Sequence, residues 1–324
     1  MNKASVASLF FFIAVAGPVA DRAFGQSFPT RPVRILAPDA GGGADVVARI
    51  IAQGLTTAFS QQVIVENRGG NGAIPAELVA KATPDGHTLL VFGSPIWLLP
   101  LLQDNVPYDP VRDFAPVIMA TTAPNILTVH PSLPVSSVKE LIAMAKAKPG
   151  TLNYAAGISG AFTHLAGELF NSMAGVKIIG VPYKGTAQAL NDLIGGQVQM
   201  QFSSAASVTP HIASGRLKAL AITSAARSPL FPGLDTVAAT LPGFEAVSII
   251  GMFAPIKTPA ATVRLLNRET AAVLQKDEVR QRFVTFGTEV AANSPEEFLA
   301  VMKSEVARWG KVVADAGIRA GGNN

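Results

Sequence analysis

Glycine-rich loops are the segments of this sequence whose residue types and spacing best suit chemistry. Each follows a short apolar segment and precedes a helix-like one: Pro38-Asp39-Ala40-Gly41-Gly42-Gly43-Ala44-Asp45, Gly93-Ser94, Gly157-Ile158-Ser159-Gly160-Ala161 and Lys184-Gly185-Thr186. Free backbone N–H groups and the positive end of the helix dipole favour an anion at a helix N-terminus, and glycine lets the backbone approach it closely. Two facing loops could hold both ends of a dicarboxylate, although each glycine also suits a simple tight turn.

Polar side chains beside these loops each admit two interpretations. Asp45 could order a water molecule that bridges to a ligand, but it is better placed to cap its helix or to pair with Arg49 one turn later. Ser159 could donate a hydrogen bond to a ligand or stabilise the turn before the next helix. Tyr183 could form a wall of the cleft or belong to the core.

A histidine and a carboxylate lie one turn apart after the third loop. Thr163 and His164 begin this segment, and Glu168 follows. A metal site needs a third ligand, and we find no candidate for it. We therefore predict no metal site and expect His164 to cap or orient the loop.

The sequence does not match the catalytic and nucleotide-binding motifs that its glycine loops resemble. Ala161 stands where a nucleophile elbow needs its second glycine. The segment around Gly185 lacks the upstream glycine of a phosphate-binding loop, and no Gly-x-Gly-x-x-Gly follows a strand. We therefore predict that the protein is not an enzyme and uses no cofactor.

The elements that must position the loops alternate between strand-like and helix-like segments. The first series has strands at 33–37, 63–66 and 88–92, with helices at 45–59 and from the loop 67–72 to Val79. The second series has strands at 153–156, 178–183, 198–202 and 217–223, with helices at 136–148, 163–174, 187–194 and 208–214. This alternation is typical of parallel sheets with helical crossovers.

Two extended, proline-containing segments connect the two series, from Ala115 to Pro131 and from Phe244 to Pro255. Two crossover strands between two lobes form a hinge. The final helices, 259–275 and 295–316, have no strands of their own and are expected to cover the first lobe. The predicted fold class is therefore α/β with two lobes, lobe 1 being residues 26–125 plus 250–324 and lobe 2 residues 126–249.

Composition limits the possible classes of protein. The 324 residues are 49% hydrophobic and 15% charged, which favours two folded cores over disorder. The net charge of +4 is not gathered into a basic run, so no nucleic acid is predicted as a partner. The chain contains no cysteine, which excludes disulfides, thiolate metal sites and a lipid-modified N-terminal cysteine.

The N-terminus has the pattern of an export signal. Lys3 precedes an apolar segment from Val6 to Ala16, and Ala23 and Gly25 are small residues suited to cleavage after Gly25. The apolar segment is shorter than the ~20 residues that a membrane-spanning helix needs. We predict residues 1–25 to be a signal peptide and the mature protein to be soluble in the periplasm.

The order of several motifs resembles the tripartite tricarboxylate transporter substrate-binding family, also called Bug or TctC proteins. The matching segments cover essentially the whole mature chain: Pro38 to Arg49, Val65 to Gly72, Pro84 to Leu89, Gly157 to Leu165, Val181 to Gly185, Ser214 to Ala221 and Ala254 to Pro259. The resemblance implies a type II-like periplasmic binding protein of the Venus flytrap kind, which closes on its ligand. It also implies a two-component membrane permease as the partner.

Family members hold a ligand carboxylate with backbone amides of two loops, which correspond here to 41–45 and 157–163. Known family ligands are di- and tricarboxylates, acidic amino acids and aromatic acids. This chain departs from the pattern at Ala44, where the family often has a hydroxyl, and near Ile249, where it often has a tryptophan. The family also often has an acidic residue near Ser203, which in relatives can face a ligand ammonium. The serine found here argues against an amino acid as the ligand.

We therefore predict a monomeric periplasmic receptor that binds a small organic anion and delivers it to the permease. An extracytoplasmic sensor with the same cleft, or an exported hydrolase using Ser159 and His164, are the alternatives. The predicted ligand-binding residues are Pro38, Gly41, Gly42, Gly43, Asp45, Gly93, Ser94, Gly157, Ser159, Gly160, Ala161, Thr163, His164, Tyr183, Gly185 and Ser203.

Overall fold

The computed structural model describes residues 28–38, 40–41, 43–69, 73–157, 162–183, 186–315 and 317. The predicted signal peptide lies outside these ranges. No helix within them combines the length and the apolar character that a membrane span requires.

The first sheet is built on three parallel strands, β1 (Val33–Ala37), β2 (Val63–Asn67) and β3 (Thr88–Gly93). β1 lies between the other two and pairs with both. Helices α1 (Gly43–Phe59) and α2 (Ala73–Ala80) connect these strands, and α3 (Pro95–Leu102) follows β3. Because helices pack on such a sheet from both sides, β1 is buried at every position except Arg34.

The second sheet repeats this arrangement. β5 (Asn153–Ala156) pairs in parallel with β6 (Ile179–Pro182) and with β7 (Met200–Ser204), and β8 (Lys218–Ile222) follows later in the chain. Its helices are α4 (Val138–Ala147), α5 (Phe162–Ala174), α6 (Thr186–Ile194) and α7 (Ala205–Ala213). Ser137 caps α4 by accepting the Glu140 backbone N–H, so this helix begins where the two serines predicted a start.

The two predicted extended segments form a pair of long strands, β4 (Phe114–Val129) and β9 (Val247–Pro255). β9 pairs antiparallel with β3 and with β4 up to Pro124. From Asn125 onwards β4 pairs with β7 and β8 instead. We call β1–β3 with the adjoining parts of β4 and β9 the first unit, and β5–β8 with the rest of β4 the second unit. The residue boundaries of the two lobes stay a prediction.

The C-terminal part was predicted less well. It consists of α8 (Ala260–Leu274), α9 (Asp277–Val284), β10 (Glu289–Val290) and α10 (Pro295–Asp315). The expectation of no strand here is wrong, because β10 pairs with Thr121 and Thr122 of β4. A strand of two residues is too short to show an alternation of apolar and polar residues, so β10 could not be predicted from the sequence.

The extent of α3 was not predicted either, for a physical reason. Its sequence, PIWLLPLL, is apolar throughout and contains Pro100 inside the helix. A helix without a polar face shows no period of 3.6 residues, so only its position after Gly93-Ser94 hinted at it.

Aromatic packing fixes α10 on the first unit. Phe298 of α10 is fully buried and its ring lies 5.1 Å from that of Phe253 on β9. This close approach is possible because Gly251 has no side chain. A Cβ at this position would collide with the Phe298 ring and lie 3.1 Å from the Ile118 carbonyl oxygen.

Gly251→Ala is expected to lower the free energy of unfolding by about 1–3 kcal/mol, because the Phe298 ring must move within a packed core. Urea denaturation measures this. Gly310→Ala, further along α10, is the control: its Cβ would meet only Leu101 Cδ2, at 3.7 Å. In this helix interior alanine should stabilise by about 0.5–1 kcal/mol. Equal effects of the two substitutions would contradict the packing argument.

Candidate functional site

The first loop is held by a buried carboxylate. Asp45, in the first turn of α1, is only 3% exposed. Its Oδ2 accepts the Gly41 backbone N–H at 2.9 Å and Arg49 Nε at 3.0 Å. Its Oδ1 accepts Asn67 Nδ2 at 2.9 Å and lies 3.0 Å from Arg49 Nη2. These contacts occupy the lone pairs of both oxygens, which favours the structural interpretation of Asp45 over a water-bridging role.

Asn67, at the end of β2, extends this network and was not among the predicted site residues. Its Nδ2 donates to the Pro38 carbonyl at 3.1 Å as well as to Asp45, and its Oδ1 accepts from Arg49 at 2.9 Å. Asn67 thereby ties both ends of the loop to the neighbouring strand. Its place at the carboxyl end of a parallel strand was the only sequence signal.

The pKa of Asp45 follows from these contacts. Burial by itself would raise the pKa of this carboxyl, but the hydrogen bonds from Arg49, Gly41 and Asn67, together with the Arg49 charge, hold the pKa below its ordinary value of 3.8. Asp45 is therefore ionised at neutral pH. Gly41 next to it has a φ of +78°, a conformation that suits glycine.

The second predicted loop packs against the start of β9. The Ser94 backbone N–H donates to the Ile249 carbonyl at 2.9 Å, and Ser94 Oγ accepts the Ile249 N–H at 3.1 Å. Gly93 pairs with Ile250 in the β3–β9 ladder, and a Cβ on Gly43 would lie 3.4 Å from Ile250 Cδ1. The first two loops therefore meet at the beginning of β9.

In the second unit, the loop after β5 is closed by a hydroxyl. Thr163, in the first turn of α5, accepts the Gly157 backbone N–H at 2.8 Å. The predicted site residues between them, Ser159, Gly160 and Ala161, lie outside the described residues, as do Gly42 and Gly185. Thr163 thus closes the loop, and the Gly157 N–H is already occupied by this hydrogen bond.

His164, next to Thr163 in α5, is partly buried. Burial lowers the pKa of His164 below its ordinary value of 6.5, while the nearby Glu168 carboxylate opposes the shift. The hydroxyl of buried Tyr154 donates a hydrogen bond to Glu168 Oε1 at 2.7 Å. The lowered pKa keeps His164 neutral at neutral pH, so it supplies no fixed positive charge. Among the described residues no three His, Asp or Glu side chains are grouped as a metal site would require.

Tyr183 and Ser203 are both buried and both bonded within the second unit. The Tyr183 hydroxyl donates to Asp192 Oδ2 at 2.8 Å, and burial together with Asp192 raises the pKa of Tyr183 to about 12. Ser203 Oγ lies 3.3 Å from Thr128 Oγ1, which itself donates to the Gln201 carbonyl. Ser203 is therefore the donor to Thr128. These contacts favour the core interpretation of Tyr183.

The two groups of loops approach each other along β4. Ile249 at the first unit's loops pairs with Thr122, whereas Ser204 at the end of β7 pairs with Asn125. These two positions are three residues apart on one strand, roughly 10 Å at ~3.3 Å per residue. Gly157 directly follows β5, which pairs with β7, and Tyr183 directly follows β6, which pairs with β5. The carboxyl ends of both parallel sheets therefore lie on either side of one short stretch of β4, as expected for a ligand crevice.

Asn125 is a polar residue at this crossing and was not among the predicted site residues. It is 6% exposed, and its Nδ2 has no hydrogen-bond partner among the described residues. Its backbone N–H donates to Thr223 Oγ1 at 2.8 Å, and its carbonyl accepts the Thr223 N–H. A buried donor without a partner is uncommon, and here it lies where β4 changes sheets.

Comparison with known proteins gives a consistent result. A family model described as the tripartite tricarboxylate transporter family receptor matches residues 47–318. BugT of Bordetella pertussis is 35% identical over 319 residues, which cover 97% of this chain and 98% of BugT. Most of the chain is thus similar to one family.

Solved structures are similar to this chain over nearly their whole length. Rpa4515 of Rhodopseudomonas palustris, determined with adipate, is 38% identical with a TM-score of 0.74, covering 90% of this chain and 99% of Rpa4515. MatC of the same organism, determined with bound malate, is 32% identical with a TM-score of 0.70, covering 88% and 100%. Together with the sheet topology, this likeness confirms the predicted two-lobed α/β fold with two crossover strands.

Asp45→Asn should lower the free energy of unfolding at pH 7 by about 1–3 kcal/mol, because a buried hydrogen-bonded charge is lost. A carboxyl whose folded pKa is lowered stabilises the fold above its unfolded pKa, near 3.9, and this contribution disappears as the pH falls through the folded pKa. The difference from the parent protein should therefore shrink between pH 7 and pH 3 in urea denaturation. Asp104→Asn, at an exposed position, is the control, and a deficit of equal size at both pH values would argue against this role.

Proposed function

The chain belongs to the tripartite tricarboxylate transporter receptor family, as its motifs predicted, and we propose that it captures a small organic carboxylate between its two lobes and delivers it to a membrane permease of the tripartite tricarboxylate type. The family consists of periplasmic binding proteins. The observation that carries the proposal is the meeting of both sets of loops across Thr122 and Asn125 of β4. Export by residues 1–25 and action as a monomer in the periplasm belong to the same proposal.

The mode of binding follows from how the loops are built. The side chains of Asp45, Thr163 and Tyr183 are engaged within their own units. The ligand therefore meets mainly backbone N–H groups and helix N-termini, which stabilise negative charge. The excess of positive charge, +4 over the chain, acts in the same direction at long range.

The ligand class is proposed from this geometry and from the relatives. Two anion-binding ends facing each other suit a dicarboxylate, and two similar proteins were determined with adipate and with malate. Ser203 donates to Thr128 and carries no charge, so it offers no counterpart to an ammonium group. We therefore favour a dicarboxylate without an amino group over an acidic amino acid.

Closure of the two lobes is the proposed mechanism. The lobes, 26–125 with 250–324 and 126–249, rotate about β4 and β9 and bury the acid between the loops. Water leaves the crevice, which strengthens the interaction of the carboxylate with the N–H groups. No bond of the ligand is broken, so the proposal includes no catalytic residue.

A thermal-shift screen with adipate and malate tests the proposal. At least one dicarboxylate should raise the unfolding temperature, because a ligand at 100 times its Kd adds about 2.7 kcal/mol to the free energy of unfolding. The neutral diamides of the same acids serve as controls and should have little effect. Nuclear magnetic resonance of the bound acid after prolonged incubation should show unchanged ligand. Stabilisation by no organic acid, or conversion of the acid, would contradict the proposal.

Thr163→Val should weaken carboxylate binding by about tenfold, the equivalent of ~1.4 kcal/mol, because the loop after Gly157 loses its closing hydrogen bond. Thr163→Ser keeps that bond and should bind within about twofold of the parent. Isothermal titration with the acid found in the screen measures both. If the two variants bind alike, the hydroxyl of Thr163 does not shape the site.

A further inference from the structure

The last turns of α10 touch both units. Over most of its length α10 lies on the first unit, where Phe298 packs on Phe253 and Gly310 lies near Leu101 of α3. Near its C-terminal end it reaches the second unit through Arg308 and Trp309. A helix fixed to one unit therefore also holds the other, outside the β4–β9 crossing.

Arg308 and Trp309 each make a side-chain contact with the second unit. Arg308 Nη1 lies 3.0 Å from Glu245 Oε2. The Trp309 ring meets Phe162 edge-on, with ring centroids 6.1 Å apart. Phe162 is the first residue of α5, the helix whose N-terminal loop we propose to receive a carboxylate.

Glu245 is anchored in the second unit by its neighbours. The Phe244 ring stacks on Phe202 of β7 at 6.2 Å, and the Ala246 N–H donates to the Thr223 carbonyl. The Arg308–Glu245 pair therefore joins α10 to the packed core of the second unit and not to a loose loop. With side-chain exposures of 20% and 38%, the pair is less screened than a fully exposed one.

A single buried carboxylate holds both contacting side chains in place. Glu305, one turn earlier on α10, is 5% exposed. It accepts from Arg308 and, at 2.9 Å, from Trp309 Nε1. The Arg308 guanidinium also lies 5.3 Å from the centre of the Trp309 ring, within the range of a cation–π contact. The two side chains are thus preset towards the second unit.

We propose that Arg308 and Trp309 of α10 brace the second unit at Glu245 and Phe162, and so set the angle between the two units and preorganise the crevice for its ligand. The predicted effect of the brace on ligand affinity rests on the proposed function, whereas its effect on the angle between the units does not. Rotation of the units displaces α5 relative to α10, so the brace contributes to the free-energy difference between the arrangements. Ligand affinity falls in proportion to the population of the binding-competent arrangement. Arg308 and Trp309 act here as positioning residues.

Glu245→Gln and Phe162→Leu test the brace, because each removes one contact with the second unit and leaves the Glu305 network intact. Asp315→Asn is the matched control: it removes a carboxylate that pairs with Lys311 on the exposed side of the same helix. The chain contains no cysteine, so cysteines introduced at the exposed positions Lys81, which directly follows α2, and Lys146 of α4 can be spin-labelled selectively.

Pulsed electron spin resonance without ligand should give a broader or shifted distance distribution for both brace variants and an unchanged one for Asp315→Asn. Isothermal titration with adipate and malate should show affinity lowered about 2–10-fold in the brace variants, with the urea midpoint of Glu245→Gln close to that of the parent. Distance distributions and affinities that match the parent would overturn the brace. If the brace variants change the distances but the parent protein binds neither acid, the brace is supported. That result would count against the proposed function and not against the brace.

Discussion

A single strand shared by two sheets is the constraint on which the structure depends. β4 pairs with β9 up to Pro124 and with β7 from Asn125 onwards, so the two units cannot slide along each other without breaking backbone hydrogen bonds. In the proposed mechanism they rotate about the β4–β9 pair. The strand register therefore fixes which loops lie opposite one another, and the angle between the units decides how far apart they are.

The polar side chains around the crossing serve mainly to shape the loops. Asp45 accepts hydrogen bonds from Gly41, Arg49 and Asn67. Ser94 accepts a hydrogen bond from β9, and Thr163 accepts one from Gly157. Each bond that satisfies a side chain within the protein removes it from competition for a ligand. In the proposed site, the anion is bound by the backbone of the glycine segments, which needs no reorganisation of side chains when the charged ligand binds.

The sequence predicted most of this fold because its segments carry clear periods. β1 and β5 were predicted at their observed residues, and glycine loops placed the helix starts. α3 and β10 were missed, since one lacks a polar face and the other is two residues long. The roles of Asn67 and Asn125 were not predictable, because they depend on which strands become neighbours across the sheet. Likewise, Glu245 and Arg308 are 63 residues apart in the chain, and only the packing of α10 brings them together.

Recognition through backbone N–H groups separates charged from neutral molecules well but distinguishes the length and shape of an acid poorly. In the proposed crevice, one group of loops binds each carboxylate of a dicarboxylate. The distance between the two groups of loops then determines which length of acid fits. That distance follows from the angle between the units, which the register of β4 leaves free and the contacts of Arg308 and Trp309 restrict. On this argument ligand choice depends as much on residues behind the hinge as on residues that touch the ligand. Rpa4515 and MatC, which are both similar to this chain, were determined with acids as different as adipate and malate, and a difference in the angle between the units is one way to accommodate acids of different length.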